Sequence, residues 1–280
     1  MAGEGTYNES INFKGKKLLV RSTDPDDPAV VAATIINGSS RVATFSSAED
    51  ADSILSGFTI IGGSNGIYCT EAAPAITNCT ITGNTSAGIY LYSGGSPIII
   101  NCSIIANSGA GIEMHPRKSG RFTFYNRPEI RNSIIAANAL QGIFGGIPTI
   151  TNCTIADNPQ GGIYGSRPAV SNSIIYFNGN AQIAESVATV TYSDVQGSSP
   201  GTGNIDVDPL FADPDNLDYH LKSQAGRWDP GSLTWIQDEI TSPCIDRGDP
   251  AWPLGDEPDP NGGIINLGAY GGTAQASMSY

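Results

Sequence analysis

Basic residues cluster in one short segment of an otherwise acidic chain. The chain carries 14 Lys and Arg against 27 Asp and Glu, a formal net charge of −13. His115, one of two histidines, begins the segment and Tyr125 lies near its end. Salt screens charges over about 8–10 Å, so a local positive patch dominates at contact range and predicts an anion site. Five of the 14 basic residues fall within 15 positions: Arg117, Lys118, Arg121, Arg127 and Arg131.

A cationic segment that also holds histidine and tyrosine could carry out β-elimination, in which a base removes the proton beside a sugar carboxylate. Arginine and lysine would neutralise that carboxylate and the developing enolate, while histidine or tyrosine would serve as base and acid. The segment therefore predicts lyase chemistry on a uronate polymer. Its catalytic candidates are His115, Arg121, Tyr125, Arg131 and Lys118, with Arg117 and Arg127 as substrate-binding cations.

Two other interpretations of the segment stay open. Glycoside hydrolysis would need a general acid and a second carboxylate about 5–10 Å apart, and Glu113, Glu129 and Asp157 are the acids near the segment. Alternatively, a long hairpin on an acidic protein simply carries solvated charges, or pairs with the acidic C-terminal stretch. The protein would then be a non-catalytic module.

The elements that must position these residues follow a repeat marked by asparagine. A second Asn stands six positions after each Asn of the first column, and a Gly-Ile pair follows ten positions after most of them. A period in this range is typical of a solenoid. One separation is longer, because that coil carries an insertion from Glu113 to Arg127 that holds the basic segment. The first column is Asn78, Asn101, Asn132, Asn152 and Asn172, with separations of 23, 31, 20 and 20 residues.

Residues within each repeat alternate with period two, so each coil offers short strands with one face inward. Isoleucines such as Ile81, Ile104 and Ile135 recur at one position and predict a stacked core column. Asn tolerates the left-handed backbone conformation and can bond its equivalents in neighbouring coils, so both Asn columns are interpreted as structural. Cys79, Cys102 and Cys153 share the inward parity and are interpreted as small core residues rather than nucleophiles.

An outward-facing aromatic stripe is predicted next to the insertion. The residue after each Gly-Ile pair points outward in successive coils. Exposed rings along a groove suit the apolar faces of sugars, so these positions are predicted to bind substrate. The alternative is that the C-terminal segment folds back and covers the stripe with Trp228, Trp235 or Trp252. The stripe consists of Tyr68, Tyr90, Glu113, Phe144 and Tyr164.

Composition narrows the class of protein. The chain has 280 residues, of which 34 are Gly and 18 Pro, and only 15% are charged, which favours an all-β fold with many tight turns. The negative net charge argues against a nucleic-acid partner. No apolar run approaches the roughly 20 residues that span a bilayer, so membrane insertion is not expected. We expect Met1 to stand where a secretion signal has been removed, which would place the protein outside the cell or on its surface.

Several segments are similar to those of a known family: Asn-Cys-Thr-Ile, Gly-Ile-Tyr, Pro-x-Ile, and the closing stretch Leu267-Gly268-Ala269-Tyr270. Through them the chain resembles the secreted right-handed β-helix repeat proteins with pectate-lyase-like architecture, over most of its length. The resemblance implies an all-β, single-stranded right-handed parallel β-helix, which we expect to have about nine coils. Members include polysaccharide lyases, hydrolases, epimerases and proteins without known activity, so the resemblance implies no single function.

We expect one structural domain with three parts. Residues 1–53 form an N-terminal cap and opening coils, residues 54–198 the regular coils, and residues 199–280 an acidic C-terminal capping segment. The capping segment contains a candidate calcium loop, because oxygen-bearing side chains alternate before Gly262. Gly268 stands where the bidentate acid of such a loop is expected. Calcium is the one cofactor considered, with Asp256, Glu257, Asp259 and Asn261 as its candidate ligands.

The leading hypothesis is an extracellular protein that binds an acidic polysaccharide along the aromatic stripe and cleaves it by elimination at the insertion. Whether it is an enzyme stays open at this point. The alternatives are a non-catalytic carbohydrate-binding or cell-surface structural module and, second, a glycoside hydrolase.

Overall fold

Short strands wind into a rod whose length is lined by three parallel sheets. The computed structural model describes residues 1–184 and 187–280. Successive strands enter the three sheets in turn, so each coil contributes one strand to each sheet. We name these sheets I, II and III in the order in which the chain enters them.

The sheets have nine, eight and eight strands. The strands of sheet I are Gly5–Tyr7, Thr34–Asn37, Thr59–Ile61, Thr80–Thr82, Ser103–Ile105, Ile134–Ala136, Thr154–Ala156, Ile174–Tyr176 and Asp194–Val195. The strands of sheet II are Ile11–Asn12, Arg41–Phe45, Asn65–Thr70, Ile89–Tyr92, Ile112–His115, Ile143–Phe144, Ile163–Tyr164 and Ile183–Ala184. The strands of sheet III are Leu19–Arg21, Ile54–Ser56, Ala75–Thr77, Ile98–Ile100, Glu129–Arg131, Thr149–Thr151, Ala169–Ser171 and Thr189–Thr191.

Eight coils are complete, and the strand Asp194–Val195 begins a ninth. The sequence predicted about nine coils. The ninth stays unfinished because the chain turns back across the end of the rod, where the Val195 amide donates to the Ile205 carbonyl at 3.0 Å. The predicted all-β parallel β-helix is confirmed.

Isoleucine forms the core column, as the repeat predicted. Equivalent residues of sheet I lie in direct register between neighbouring coils and have no exposed surface. A single coil cannot cover its own apolar edge, so like side chains stack on like, and burying one of this size stabilises the fold by about 1.5–3 kcal/mol. The column contains Ile60, Ile81, Ile104, Ile135, Ile155 and Ile175.

Both Asn columns are structural, as predicted. The first column adopts the left-handed conformation, with φ of 53° at Asn101 and 45° at Asn132. In the second column the Nδ2 atoms from Asn84 to Asn158 donate to the Asn Oδ1 of the next coil, at 3.0 Å from Asn107 to Asn138 and 3.1 Å from Asn138 to Asn158. The same Nδ2 atoms bond carbonyls of the preceding coil, so these buried amides are satisfied.

The predicted insertion forms an antiparallel hairpin of strands Arg117–Ser119 and Phe122–Phe124. It leaves the rod after the sheet II strand Ile112–His115 and returns to it before the sheet III strand Glu129–Arg131. Gly120, with φ of 60°, provides the left-handed turn between the two strands. We name residues 116–127 the basic hairpin.

The C-terminal segment differs from the predicted cap. Only its first residues cross the end of the rod, and most of it folds back along the outer face of sheet I, where Ala269 N donates to Thr154 Oγ1 at 3.0 Å. The physical reason is the apolar outer face of sheet I, including Ile134, Ile174 and Tyr176, which forms a second core with Phe211, Tyr219 and Leu267. The segment also contains the paired strands Phe211–Asp213 and Asp218–Leu221, the paired strands Arg227–Asp229 and Thr234–Ile236, and the 3-10 helix Pro214–Asn216; the α-helix Pro28–Ala33 lies near the N-terminus.

The cysteines are free and buried within the described residues. Burial raises the pKa of the Cys69 and Cys153 thiols to about 12. Cys79, Cys102 and Cys153 lie in the hydrophobic core, so their interpretation as small core residues is confirmed.

Candidate functional site

Five rings stack into one continuous column on the outer face of sheet II. The centroids of Tyr68 and Tyr90 lie 5.8 Å apart and those of Phe144 and Tyr164 lie 5.9 Å apart, with planes within 7° and 9° of parallel. Between these pairs stands His115, at 5.4 Å from Tyr90 and 5.8 Å from Phe144. We name this column the ring ladder.

His115 occupies the place in the ladder where the repeat predicts Glu113. In register, Glu113 pairs with Tyr90 and Phe144, and His115 pairs with Tyr92. The His115 imidazole therefore extends back along its own strand and occupies the space between the Tyr90 and Phe144 rings, where Glu113 provides no ring. A carboxylate can only accept, so His115 Nε2 carries the proton and donates to Glu113 Oε1 at 2.7 Å. The sequence placed His115 in the hairpin, and its part in the ladder was missed.

The ladder changes how the predicted aromatic stripe can act. Stacking covers the ring faces with neighbouring rings and turns the ring edges to solvent. At the N-terminal end, the Arg41 guanidinium covers Tyr68 at 3.5 Å from its centroid. In this arrangement the ladder offers a ligand mainly ring edges, phenol groups and the Glu113–His115 pair, and the binding of sugars at these positions stays a prediction.

The tryptophans do not cover the ladder. Trp228 and Trp235 pack on each other with centroids 5.8 Å apart, and Trp252 is exposed. Their segment lies on sheet I and on the corner formed by Asn132 and Asn152, whose Nδ2 atoms donate to the Gly271 carbonyl. The alternative in which C-terminal tryptophans cover the stripe is wrong, because the apolar outer face of sheet I draws the segment to a different side.

Rings with uncovered surface lie on and beside the basic hairpin. Phe122 is 73% exposed, Phe124 43% and Tyr125 40%. Tyr92, 36% exposed, ends the sheet II strand of the preceding coil, next to Gly94, whose Cβ position lies 3.9 Å from Phe124 Cβ. Tyr92, Phe122 and Phe124 were not predicted from the sequence as site residues. Phe122 and Phe124 could have been identified as aromatic residues inside an insertion, where no core column requires them, whereas Tyr92 ends a regular strand.

The hairpin register places cations beside these rings. Arg117 pairs with Phe124, and its guanidinium lies 5.3 Å from that ring. Arg117 also contacts Glu71 Oε1 at 3.4 Å. Among the described residues, no acidic group forms an ion pair with Lys118, Arg121 or Arg127, all three of which are exposed. The hairpin is therefore a net positive protrusion, and its pairing with the acidic C-terminal segment is not observed.

The predicted catalytic set is divided between two sides of the rod. Arg131 lies on sheet III, where it forms an ion pair with Glu129. His115 lies on sheet II. Lys118, Arg121 and Tyr125 lie on the hairpin between the two. The structure thus groups Lys118, Arg121 and Tyr125 with Arg117 and Arg127, and separates Arg131 from them.

The three acids considered for hydrolysis lie on three sides of the rod. Glu113 is on sheet II and Glu129 on sheet III, while Asp157 follows a sheet I strand and accepts from the Tyr219 hydroxyl at 2.9 Å. Burial raises the pKa of Asp157 and the Tyr219 hydrogen bond partly offsets the rise. No two of these acids flank one groove, so this arrangement does not support glycoside hydrolysis by them.

The four candidate calcium ligands do not gather around one point in the described part of the chain. Asp256 and Asp259 are exposed, whereas Glu257 is buried and its Oε1 accepts from the backbone amides of Asn266 and Gly272, each at 2.8 Å. Asn261 Nδ2 donates to Asp259 Oδ1 at 3.1 Å. The described residues contain no group of three or more His, Cys, Asp or Glu that could hold a metal.

One cavity lies away from the hairpin. It has a volume of about 620 Å³ and opens at the C-terminal end of the rod, lined by Asn178, Gln182 and Gln196 among others. Gln182 bonds both Asn178 and Gln196, and so ends the Asn ladder. Its lining has no charged side chain among the described residues, so the cavity is the unfinished end of the solenoid rather than the predicted anion site.

Comparisons with known proteins agree with the architecture. A family model described as the right handed beta helix region matches residues 31–146 and, in a second match, residues 65–203. Neither the curated proteins nor the solved structures gave a match. No helix in the described part of the chain is long and apolar enough to cross a membrane. The fold agrees with the expected pectate-lyase-like architecture and supports a carbohydrate-interacting β-helix protein in general. With parallel coils in register and family matches over more than half of its length, the chain belongs to the right-handed β-helix family.

Proposed function

We propose that this protein is an extracellular binder of an acidic polysaccharide, which it holds at the basic hairpin and along the adjoining edge of sheet II. The polysaccharide would cross the hairpin next to Tyr92 and continue along the ring ladder. Carboxylates of the polymer would meet Lys118 and Arg121, and its sugar rings would pack on Phe122 and Phe124.

One observation carries this proposal: exposed rings and unpaired cations share the same short hairpin. An exposed ring such as Phe122 costs free energy in water, and an apolar surface with polar surroundings is typical of a binding site. Uronate polymers present both an apolar sugar face and a carboxylate. The hairpin therefore matches the two surfaces of such a ligand at once.

Elimination chemistry is a second candidate function, and the Glu113–His115 pair favours it. The Glu113 carboxylate fixes the tautomer of His115, which leaves Nδ1 as the atom that would accept the substrate proton. The side chain of His115 is part-exposed, so the pair is accessible at the edge of the ladder. Arg117 follows two residues later and would supply the cation that neutralises the substrate carboxylate.

Titration with a panel of uronate polymers tests binding, and ultraviolet absorbance of the same mixtures tests elimination, because a lyase creates an unsaturated product. We expect saturable binding to at least one uronate polymer and none to a neutral polymer of matched length. Binding with flat absorbance supports the binder alone. A rise in absorbance that His115→Ala abolishes adds the lyase, and an absence of binding to every polymer contradicts the proposal.

A further inference from the structure

Three buried oxygen atoms without a hydrogen-bond partner lie together in the C-terminal segment. They are Oδ1 of Asp246, Oε2 of Glu257 and Oγ of Ser279. Glu257 is 8% exposed and Ser279 is 6% exposed, so both side chains are more than nine-tenths buried. Burying polar oxygens without partners costs about 1–3 kcal/mol each, and more when they are charged, so the arrangement requires a compensating group.

Asn266 contacts the three segments that carry these side chains. Its backbone amide donates to Glu257 Oε1 at 2.8 Å, and its Oδ1 accepts from the Asp246 amide at 2.9 Å. Its Nδ2 donates to the carbonyl of Ser277, two residues before Ser279, at 2.7 Å. The Gly262 backbone packs directly against the Asp246 carboxylate, which leaves no room there for a side chain.

The electrostatics agree that these groups face one another. Burial, with a smaller contribution from the nearby Asp246 carboxylate, raises the pKa of Glu257 to about 7. Burial also raises the pKa of Asp246, and Ser279 partly offsets the rise. The Ser279 oxygen meets no partner with hydrogen-bond geometry, so this hydroxyl lies near the carboxylate without being bonded to it.

We propose that Asp246, Glu257 and Ser279 hold a calcium ion that ties the end of the chain to the C-terminal segment. The donors are all oxygen, with two carboxylates and a hydroxyl, which suits a hard cation. Zinc prefers nitrogen and sulfur ligands, which this group lacks. Magnesium retains several waters, which a group of fully buried atoms does not admit, whereas calcium accepts protein oxygens throughout its shell.

This site differs from the calcium loop that the sequence suggests. Of the four residues in that loop, only Glu257 belongs to the buried group, and Asp256 and Asp259 are exposed. The buried group instead joins residues that are 11 and 22 positions apart in the chain, namely Asp246 with Glu257 and Glu257 with Ser279. A spacing motif does not detect such a set.

Calcium titration of the chelator-treated protein tests the proposal, with heat of binding and thermal unfolding as readouts. We expect a single class of sites and a Tm that rises with calcium concentration, because a ligand that binds only the folded state stabilises it. Magnesium at the same concentration should leave Tm nearly unchanged. Failure of calcium to bind the protein or to raise its Tm would overturn the proposal and leave a shared proton as the compensating group.

Matched variants locate the site. We expect Asp246→Asn and Glu257→Gln to weaken calcium binding about tenfold or more, since each removes one ligand charge. Ser279→Ala keeps both carboxylates and should weaken calcium binding severalfold. This variant still tests the site if either carboxylate variant fails to fold. Asp256→Asn and Asp259→Asn change exposed acids in the same loop and should leave the affinity unchanged. Loss of binding in Asp259→Asn but not in Glu257→Gln would place calcium elsewhere and contradict the proposal.

Discussion

His115 Nε2 lies 2.7 Å from Glu113 Oε1, and through this contact an imidazole replaces the missing aromatic ring of its coil. The ring column on sheet II runs from Tyr68 to Tyr164 without a break because His115 stands between Tyr90 and Phe144. The same pair is the only titratable couple in the ladder with a carboxylate and an imidazole in contact, among the described residues. The Glu113–His115 pair therefore completes the ring ladder and also contains the candidate base for elimination.

The ladder predicts which substitutions of His115 are tolerated. His115→Phe keeps a ring between Tyr90 and Phe144, and we expect its free energy of unfolding to stay within about 0.5 kcal/mol of the wild type. His115→Ala removes both ring contacts and should cost about 1–2 kcal/mol. Chemical denaturation measures both. Equal stability of the two variants would show that the ring contacts contribute nothing.

The Asn ladder should be sensitive at its centre. Asn138→Ala removes donors to the Ile104 carbonyl and Asn158 Oδ1, and it leaves the amide of Asn107 without its acceptor. We expect a loss of about 2–4 kcal/mol in the free energy of unfolding. Asn180→Ala, at an exposed amide on the end coil, is the control and should cost less than about 0.5 kcal/mol. A loss below 1 kcal/mol for Asn138→Ala would mean that the ladder contributes little, on the scale of about 1 kcal/mol expected for one net hydrogen bond.

Gly111 packs so closely against the next coil that a side chain at this position would clash. A Cβ on Gly111 would lie 2.6 Å from Ile135 Cγ2 and 2.7 Å from the Gly142 carbonyl oxygen. Gly111→Ala should therefore destabilise the protein by about 1–3 kcal/mol. Gly3→Ala meets open space and is the matched control. The comparison uses thermal unfolding, and similar Tm values for both variants would contradict the packing described here.

Asp194 should make the protein less stable as pH rises. Burial raises the pKa of this carboxyl to about 6. A folded-state pKa above the unfolded value near 4 means that its stabilising contribution is full below pH about 4 and is lost as pH rises through about 6. Asp194→Asn cannot ionise and should be more stable than the wild type at pH 7, by about 1–3 kcal/mol.

The pH profile separates this effect from general charge. Asp194→Asn should flatten the dependence of unfolding free energy on pH between about 4 and 6, because the wild type loses the stabilising proton there. Glu4→Gln removes an exposed acid and should leave the profile unchanged. A profile for Asp194→Asn that is parallel to that of the wild type would contradict the role of burial at this site.

Residues in columns were predictable from the sequence, and residues outside them were not. Ile104 and Asn138 repeat because like side chains stack between coils, and stacking leaves a periodic record in the chain. His115 enters the ladder because Glu113 leaves a position without a ring between Tyr90 and Phe144. This arrangement depends on contacts among three coils. Phe122 and Phe124 lie in an insertion without equivalents, so no template fixed their exposure.

The C-terminal segment shows the same limit on a larger scale. Its acidic, turn-rich composition predicted a covering element but not the surface that it covers. Contacts such as Ala269 with Thr154, 115 positions apart, are set by the apolar outer face of sheet I and leave no local signal. The rod and the hairpin could therefore be predicted from the sequence, and the side on which the segment packs could not.

Exposed rings of the hairpin should matter more for binding than the rings of the ladder. Phe122→Ala removes an uncovered ring face and should weaken binding of a uronate polymer about fivefold. Phe144→Leu changes a ring whose faces are covered and should leave the affinity within about twofold. Leu18→Ala, an exposed apolar residue far along the chain, controls for general surface effects. Stronger loss in Phe144→Leu than in Phe122→Ala would contradict the larger contribution assigned to the hairpin rings.

Charge reversal on the hairpin tests the central claim most directly. The measurement is the affinity of the double variant Lys118→Glu with Arg121→Glu for the uronate polymer, beside the double variant Lys14→Glu with Lys16→Glu. Both carry the same change in net charge on exposed residues. We predict at least about a tenfold loss of affinity for the hairpin variant, about 1.4 kcal/mol, and a loss within about twofold for the control. Equal affinities of the two variants would contradict an anion site at the hairpin.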